Sequence, residues 1–234
     1  GRPAQQTRLE SAAAVPPQMT LDEIDAAARM VGLEVLGAFH PDTGDKDAGG
    51  AGTLVLLGPS QDFWATLTAS PEFSGDNPVD RWSKRVITAL AAQLDARAIF
   101  PFGGPPYAPF LSWAKRTGRA WDSPVGMLVH DTQGLLVSYR GALAFAKRLK
   151  IPSTGGESPC VTCDAKPCLT ACPVAALSPQ GYDVSACHAF LDSAAGLVCM
   201  TRGCAVRRIC PVSKGANRSE EQSAHHMRAF RGGK

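Results

Sequence analysis

All eight cysteines of this 234-residue chain lie after residue 159. They read Cys160-(x2)-Cys163-(x4)-Cys168-(x3)-Cys172-Pro173, then Cys187, then Cys199-(x4)-Cys204-(x5)-Cys210-Pro211. Two sets of cysteines, each closing on Cys-Pro, match the ligand count of two [4Fe–4S] clusters. A cubane needs a thiolate on every iron, and Cys-x2-Cys lets one tight loop reach two neighbouring corners. The cysteine before each proline points out of its own loop and ligates the other cluster, so the two sites interlock. This logic assigns Cys160, Cys163, Cys168 and Cys210 to one cluster. Cys172, Cys187, Cys199 and Cys204 go to the second.

Two other uses of cysteine compete with this reading. A secreted disulfide framework spreads its cysteines along a short chain, whereas the first 159 residues here hold none. Structural zinc uses pairs such as Cys160-x2-Cys163, but it does not call for two Cys-Pro closures. The loops also depart from the commonest cluster spacing. Four residues, Asp164 to Pro167, separate the second and third cysteines where two are usual. The spacing loosens the assignment of individual corners without changing the count.

At 44 % hydrophobic, the chain is long enough for one cored domain and a small cofactor-stapled one. It has no run of 18 apolar residues, so no membrane span is expected. No charged, apolar and small-residue series opens the chain, so no export signal is expected either. Thiolate-ligated clusters need a reducing compartment, which points to the cytoplasm. The first 18 residues, rich in Ala, Gln and Pro, read as a disordered tail.

The net charge of +3 is unevenly placed. Residues 160–234 carry nine Lys/Arg against five Asp/Glu, a balance of +4, while residues 1–159 balance at −1. Arg202, Arg207, Arg208 and Lys214 fall among the cysteines, where positive charge offsets the clusters' own negative charge. The basic tail, 216–234, offers a weaker alternative in contact with a nucleic-acid backbone, and no nucleic-acid partner is expected.

Helices and strands intermix ahead of the cysteines. Thr20-Leu-Asp-Glu23 fits a capping box and opens a helix that Gly32 can end. Leu33–Phe39 and Thr53–Leu57 read as strands flanking a Gly-rich loop. Asn77-Pro78 reads as a cap and first-turn proline before a long amphipathic helix through Leu94. Arg97–Phe100 reads as strand, and Phe110–Arg116 as helix after the break at Phe102-Gly-Gly-Pro-Pro-Tyr107. Val125–His130 and Leu135–Tyr139 look like a hairpin. Ser153–Pro159 reads as a linker, giving an α+β domain over 19–150, a linker at 151–159 and a cysteine module over 160–215.

The cysteine module, about 55 residues, resembles the dicluster ferredoxin domain of epoxyqueuosine reductases and reductive dehalogenases. Asp183-Val-Ser-Ala-Cys187-His-Ala-Phe-Leu191 looks like the segment that carries their fifth cysteine. Residues 126–143 look like their last cobalamin-domain hairpin. The same stretch, with Asp76-Asn-Pro-Val-Asp80 before it, is similar to the cobalamin-processing chaperones that strip upper ligands from vitamin B12. The resemblance covers about residues 30–215 and implies a nitroreductase-related α/β sandwich in front of a bacterial-type dicluster ferredoxin module. It also implies cobalamin or flavin as a further cofactor.

The departures narrow the function. Epoxyqueuosine reductases carry an acidic proton donor in an Asp-x-x-Pro segment, where this chain has Phe102-Gly103-Gly104-Pro105-Pro106 and no acid. Their C-terminal helical repeats for tRNA are also missing. Candidate cofactor-binding residues in the front domain are His130, Tyr107, Arg140, Gly103 and Gly104, each with an ordinary structural role as its alternative. Tyr139 is a further candidate for a pocket wall. The expected function is electron transfer through two clusters to or from a redox partner protein or small-molecule acceptor. A cobalamin- or flavin-dependent reductase, or a corrinoid-handling protein, is the alternative.

Overall fold

Thr20 caps the first helix as expected: its backbone N–H donates to Glu23 Oε2 at 2.7 Å, and Glu23 N–H donates to Thr20 Oγ1 at 3.2 Å. The computed structural model describes residues 19–153 and 156–232. The expected tail at 1–18 and the centre of the linker lie outside the described residues.

Helix α1 (Leu21–Arg29) leads into β1 (Leu33–Phe39), β2 (Thr53–Pro59), the short helix α2 (Phe63–Thr68) and α3 (Pro78–Gln93). Then come β3 (Arg97–Ile99), α4 (Phe110–Arg116), β4 (Ala120–Asp122), β5 (Leu128–His130) and β6 (Gly141–Phe145). The main sheet is antiparallel throughout, in the order β1-β2-β6-β3. Side chains alternate across a strand, so Val55 and Leu57 of β2 pack against α1, α2 and α3, with Phe63 and Trp82 in the same cluster. Leu54 and Leu56 face the opposite layer, where α4 contributes Phe110 and Trp113. Burying each such large side chain stabilises the fold by about 1.5–3 kcal/mol. Helices therefore cover both faces of an antiparallel sheet, and the chain is α+β.

Three sequence expectations are corrected here. Asn77 adopts a left-handed conformation (φ 48°) with no side-chain cap, so Pro78 at the first turn starts α3 without it. The expected partner of Val125–His130 is wrong: β5 pairs with β4, with Trp121 opposite Val129. Residues 135–139 form no strand because their backbone groups are engaged elsewhere. Leu135 N–H donates to Ser213 Oγ at 3.0 Å, and the Leu135 carbonyl accepts from Arg207 at 2.8 Å. The strand that follows is instead β6, a central strand buried at every position. Gly141-Ala-Leu-Ala-Phe145 shows no polar alternation because both of its faces are covered.

The cysteine region is built from short elements: β7 (Leu177–Ser178), β8 (Gly181–Tyr182), α5 (Val184–Leu191), α6 (Leu197–Arg202) and α7 (Ala205–Ile209). The expected basic tail is in fact the helix α8 (Glu220–Arg231), capped by Ser219, whose Oγ accepts from Gln222 N–H at 3.1 Å. Gln222, Ser223 and Ala224 are buried against the module, and Arg231 pairs with Asp192 at the end of α5. The amphipathic face overrides the tail's composition. The module also shares a hydrophobic core with the front domain, where Val125, Val129 and Leu135 meet Cys168, Leu177 and Val206.

Among the described residues, no single helix is long and apolar enough to cross a membrane. The apolar pair Val184–Leu191 and Ala194–Arg202 is bent by 96° at its break.

Candidate functional site

The eight cysteines are free thiols and divide between two cavities. Cys160, Cys163, Cys168 and Cys210 line a cavity of about 200 Å³. Cys172, Cys187, Cys199 and Cys204 line a tighter one of about 20 Å³. The partition crosses the sequence. Cys210 follows the loop that carries Cys199 and Cys204 but faces the first cavity, and Cys172 follows Cys168 but faces the second. Short 3-10 turns at Pro167–Leu169 and Pro211–Ala216 bend the chain beside these crossing points.

Four thiols per set is the donor count of an iron–sulfur cubane, and the first cavity is the roomier of the two, whereas the second, at about 20 Å³, holds little more than one water molecule. Ala176 N–H donates to Cys172 Sγ at 3.2 Å, a contact of the kind that tunes cluster sulfurs. Burial pushes the Cys204 thiol up, while the backbone N–H groups of Arg207 and Val206 draw it back toward the thiolate. Burial also pushes the Cys160 and Cys168 thiols up, and each feels Cys163 and Cys210 as further negative neighbours. Such crowding of thiolates is tolerated when cations neutralise it. Among the described residues, no three His, Cys, Asp or Glu side chains stand close enough to hold a single metal ion. A cubane spreads its thiolates over separate irons and takes a wider frame than one zinc.

A larger cavity of about 760 Å³ opens where the front domain meets the module. Pro101, Phe110, Met127 and Leu128 give it an apolar wall, and Arg207 closes one side. Tyr139 also lines it; burial pushes its hydroxyl pKa up, and the oxygen has no hydrogen-bond partner. At the rim, Lys115 and Asp122 form an ion pair at 2.8 Å. Because Arg207 is both on this wall and beside Cys204, the cavity adjoins the second cysteine set.

The front-domain candidates fall differently from their sequence reading. His130 is fully buried, with Nε2 2.8 Å from the Leu36 carbonyl and Nδ1 3.0 Å from Asp131 Oδ1 and 3.1 Å from Thr132 Oγ1. Both ring nitrogens are occupied, so His130 links β5 to β1 and faces no ligand. Tyr107 is exposed on the loop before α4, and Gly103 is exposed beside it. Gly104 folds against its own loop, where an added Cβ would lie 2.5 Å from the Pro106 carbonyl. None of these three lines the large cavity, although their neighbours Pro101 and Ala108 do. Arg140 forms an ion pair with Asp80, and its Nε donates to Ser83 Oγ at 3.1 Å. It also reaches the wall of a further cavity, with Arg207, Arg218 and His226.

The sequence placed Arg207 among the ligands, but nothing in its spacing brought Arg140 to the same cavity. That juxtaposition spans 67 residues and depends on how the module docks. Comparison with protein-family models, curated proteins and solved structures gives no match to this chain.

Proposed function

We infer that this chain is an iron–sulfur electron-transfer protein that carries two [4Fe–4S] clusters. One observation carries the reading: the eight cysteines divide into two sets of four around separate cavities, with Cys210 and Cys172 exchanged between loops. That exchange is what interlocking clusters require of cysteines before proline. When bound, the clusters supply one-electron storage with little rearrangement. The protein's own part is to fix the thiolates, donate N–H groups to sulfur and hold Arg207 close to the second set. Electrons pass to or from a ligand or partner at the front domain, either a redox protein or a small-molecule acceptor. Thiolate ligation of this kind suits a reducing, cytoplasmic setting.

Anaerobic loading with iron and sulfide tests this directly. About eight irons per chain, with a reducible EPR signal, is the expected result. A stoichiometric zinc protein that takes up no iron would overturn it.

A second reading, a cobalamin- or flavin-dependent reductase or a corrinoid-handling protein, draws on the 760 Å³ cavity with its apolar wall, which Arg207 links to Cys204. Tight one-to-one binding of cob(II)alamin or flavin to the cluster-loaded protein supports that class. Turnover of a substrate only with the cofactor present separates the reductase from the carrier. Reducible clusters with no such binding leave an electron carrier whose front domain is a docking surface.

A further inference from the structure

A cavity of about 360 Å³ lies between residues 136–140, α7 and α8, with Arg140, Arg207, Arg218 and His226 on its wall, together with Cys187 and Cys204 of the second set. The volume is far more than one water molecule occupies. The charge on Arg140 is balanced by Asp80. Arg207 and Arg218 differ: they donate to the adjacent carbonyls of Leu135 and Leu136, at 2.8 and 2.7 Å. Among the described residues, neither forms an ion pair with a carboxylate.

Adjacent carbonyls hold the two guanidiniums side by side, and each keeps most of its N–H donors for other acceptors. Burial lowers the Arg218 pKa to about 10, and the charge on Arg207 adds to the effect. The neighbouring cysteines account for Arg207, which lies next to Cys204. They do not account for Arg218, whose electrostatic neighbour is Arg207 itself. His226 faces the same cavity with a buried Nε2 that has no hydrogen-bond partner. One guanidinium without a counter-charge, a second beside Cys204 and an unpaired imidazole around one cavity make a frame for a tetrahedral oxyanion, with arginine's fork matched to its oxygens.

We propose that this chamber is a phosphate-binding site, in which Arg207 and Arg218 grip the oxyanion and His226 supplies a further contact. The chamber shares Met127, Val137, Ser138 and Arg207 with the wall of the larger apolar cavity. The phosphate is therefore either free or the tail of a ligand whose flat, apolar body lies in that cavity.

Calorimetric titration of the iron-loaded full chain with inorganic phosphate tests the site, and it reads phosphate whether or not electron transfer is the function. Saturable one-site binding is expected, weakened about tenfold or more in Arg218→Gln and partly restored in Arg218→Lys. Arg228→Gln, which removes the same charge from an exposed position on α8, is expected to bind as the wild type. No saturable binding by the wild type, or undiminished binding by Arg218→Gln, overturns the proposal.

A second measurement needs no variant. Phosphate should slow modification of Arg218 by phenylglyoxal, read by mass spectrometry, while leaving Arg228 unaffected. Equal rates at Arg218 with and without phosphate overturn the site. Flavin mononucleotide competing with phosphate while riboflavin does not identifies the oxyanion as a cofactor tail; competition by neither identifies free phosphate.

Discussion

The Arg207 guanidinium donates to the Leu135 carbonyl at 2.8 Å, joining a residue between two cysteines to the turn that follows β5. The N–H of Leu135 is taken up from the same side, by Ser213 Oγ at 3.0 Å. Both backbone groups of one front-domain residue are thus satisfied by the cysteine module. The module is docked by obligatory polar contacts as well as by the shared core of Val129, Leu135 and Val206. The position of the second cysteine set relative to the front cavity is fixed by this docking.

Exchange of ligands between loops predicts a crossed phenotype. Cys172→Ser should lose the cluster held with Cys187, Cys199 and Cys204, and Cys210→Ser the cluster held with Cys160, Cys163 and Cys168. Each variant should keep about half the wild-type iron. EPR spectra of Cys163→Ser and Cys199→Ser provide the references for each remaining cluster. If Cys172→Ser matches Cys163→Ser, the interlocked assignment is wrong.

Gly134→Ala tests the docking contact. Gly134 has φ +55°, and an added Cβ would lie 2.4 Å from the Ser213 backbone nitrogen. Neither the backbone conformation nor the space suits a side chain, so a loss of about 1–3 kcal/mol is expected. The variant should also release iron faster than the wild type. An unchanged denaturant midpoint would mean that the module yields at this contact without cost.

The Arg140–Asp80 pair is asymmetric: the arginine side chain is 13 % exposed and the carboxylate 43 %. Asp80→Ala leaves a mostly buried guanidinium without its counter-charge and should cost about 2 kcal/mol, below the range for fully buried pairs because Asp80 is partly solvated. Combining it with Arg140→Met should recover part of that loss. Chemical denaturation of both variants gives the comparison, and additive losses would contradict the pairing.

Acid should weaken the fold through Asp131. Burial pushes its carboxyl up, but His130 and the two-pronged contact from Arg119, at 2.8 and 3.0 Å, more than reverse this and hold it well below the usual carboxylate range. A carboxylate whose pKa is depressed in the folded state stabilises the fold above its unfolded value and loses that contribution as the pH falls through its folded value. Stability should therefore decline as the pH drops below about 4. Asp131→Asn should flatten that part of the profile, followed by thermal unfolding against pH. A variant with the wild-type slope would assign acid sensitivity to other carboxylates.

Local chemistry made several elements legible in advance. The Thr20 and Glu23 pair, the first-turn proline at Pro78 and the mostly apolar stretch Leu33–Phe39 each act over a few residues, so the chain states them directly. The cysteine spacing likewise predicted which side chains would gather, because Cys-Pro geometry is a local constraint with a distant consequence. Other features depended on contacts between segments far apart in sequence. Residues 135–139 have a strand's composition, but Ser213 and Arg207 engage their backbone before a neighbouring strand can. Helix α8 reads as a basic tail until the face carrying Gln222, Ser223 and Ala224 meets the module, and β6 lacks alternation because both of its faces are covered. His130 looks available in sequence and is occupied on both ring nitrogens in the fold. Sequence by itself determined the cysteine sets, the α+β alternation and the Thr20 cap. Tertiary packing decided the strand partners, the docking of the module and the meeting of Arg140, Arg207 and Arg218, since hydrogen-bond satisfaction and burial are settled only between segments that sequence spacing does not relate.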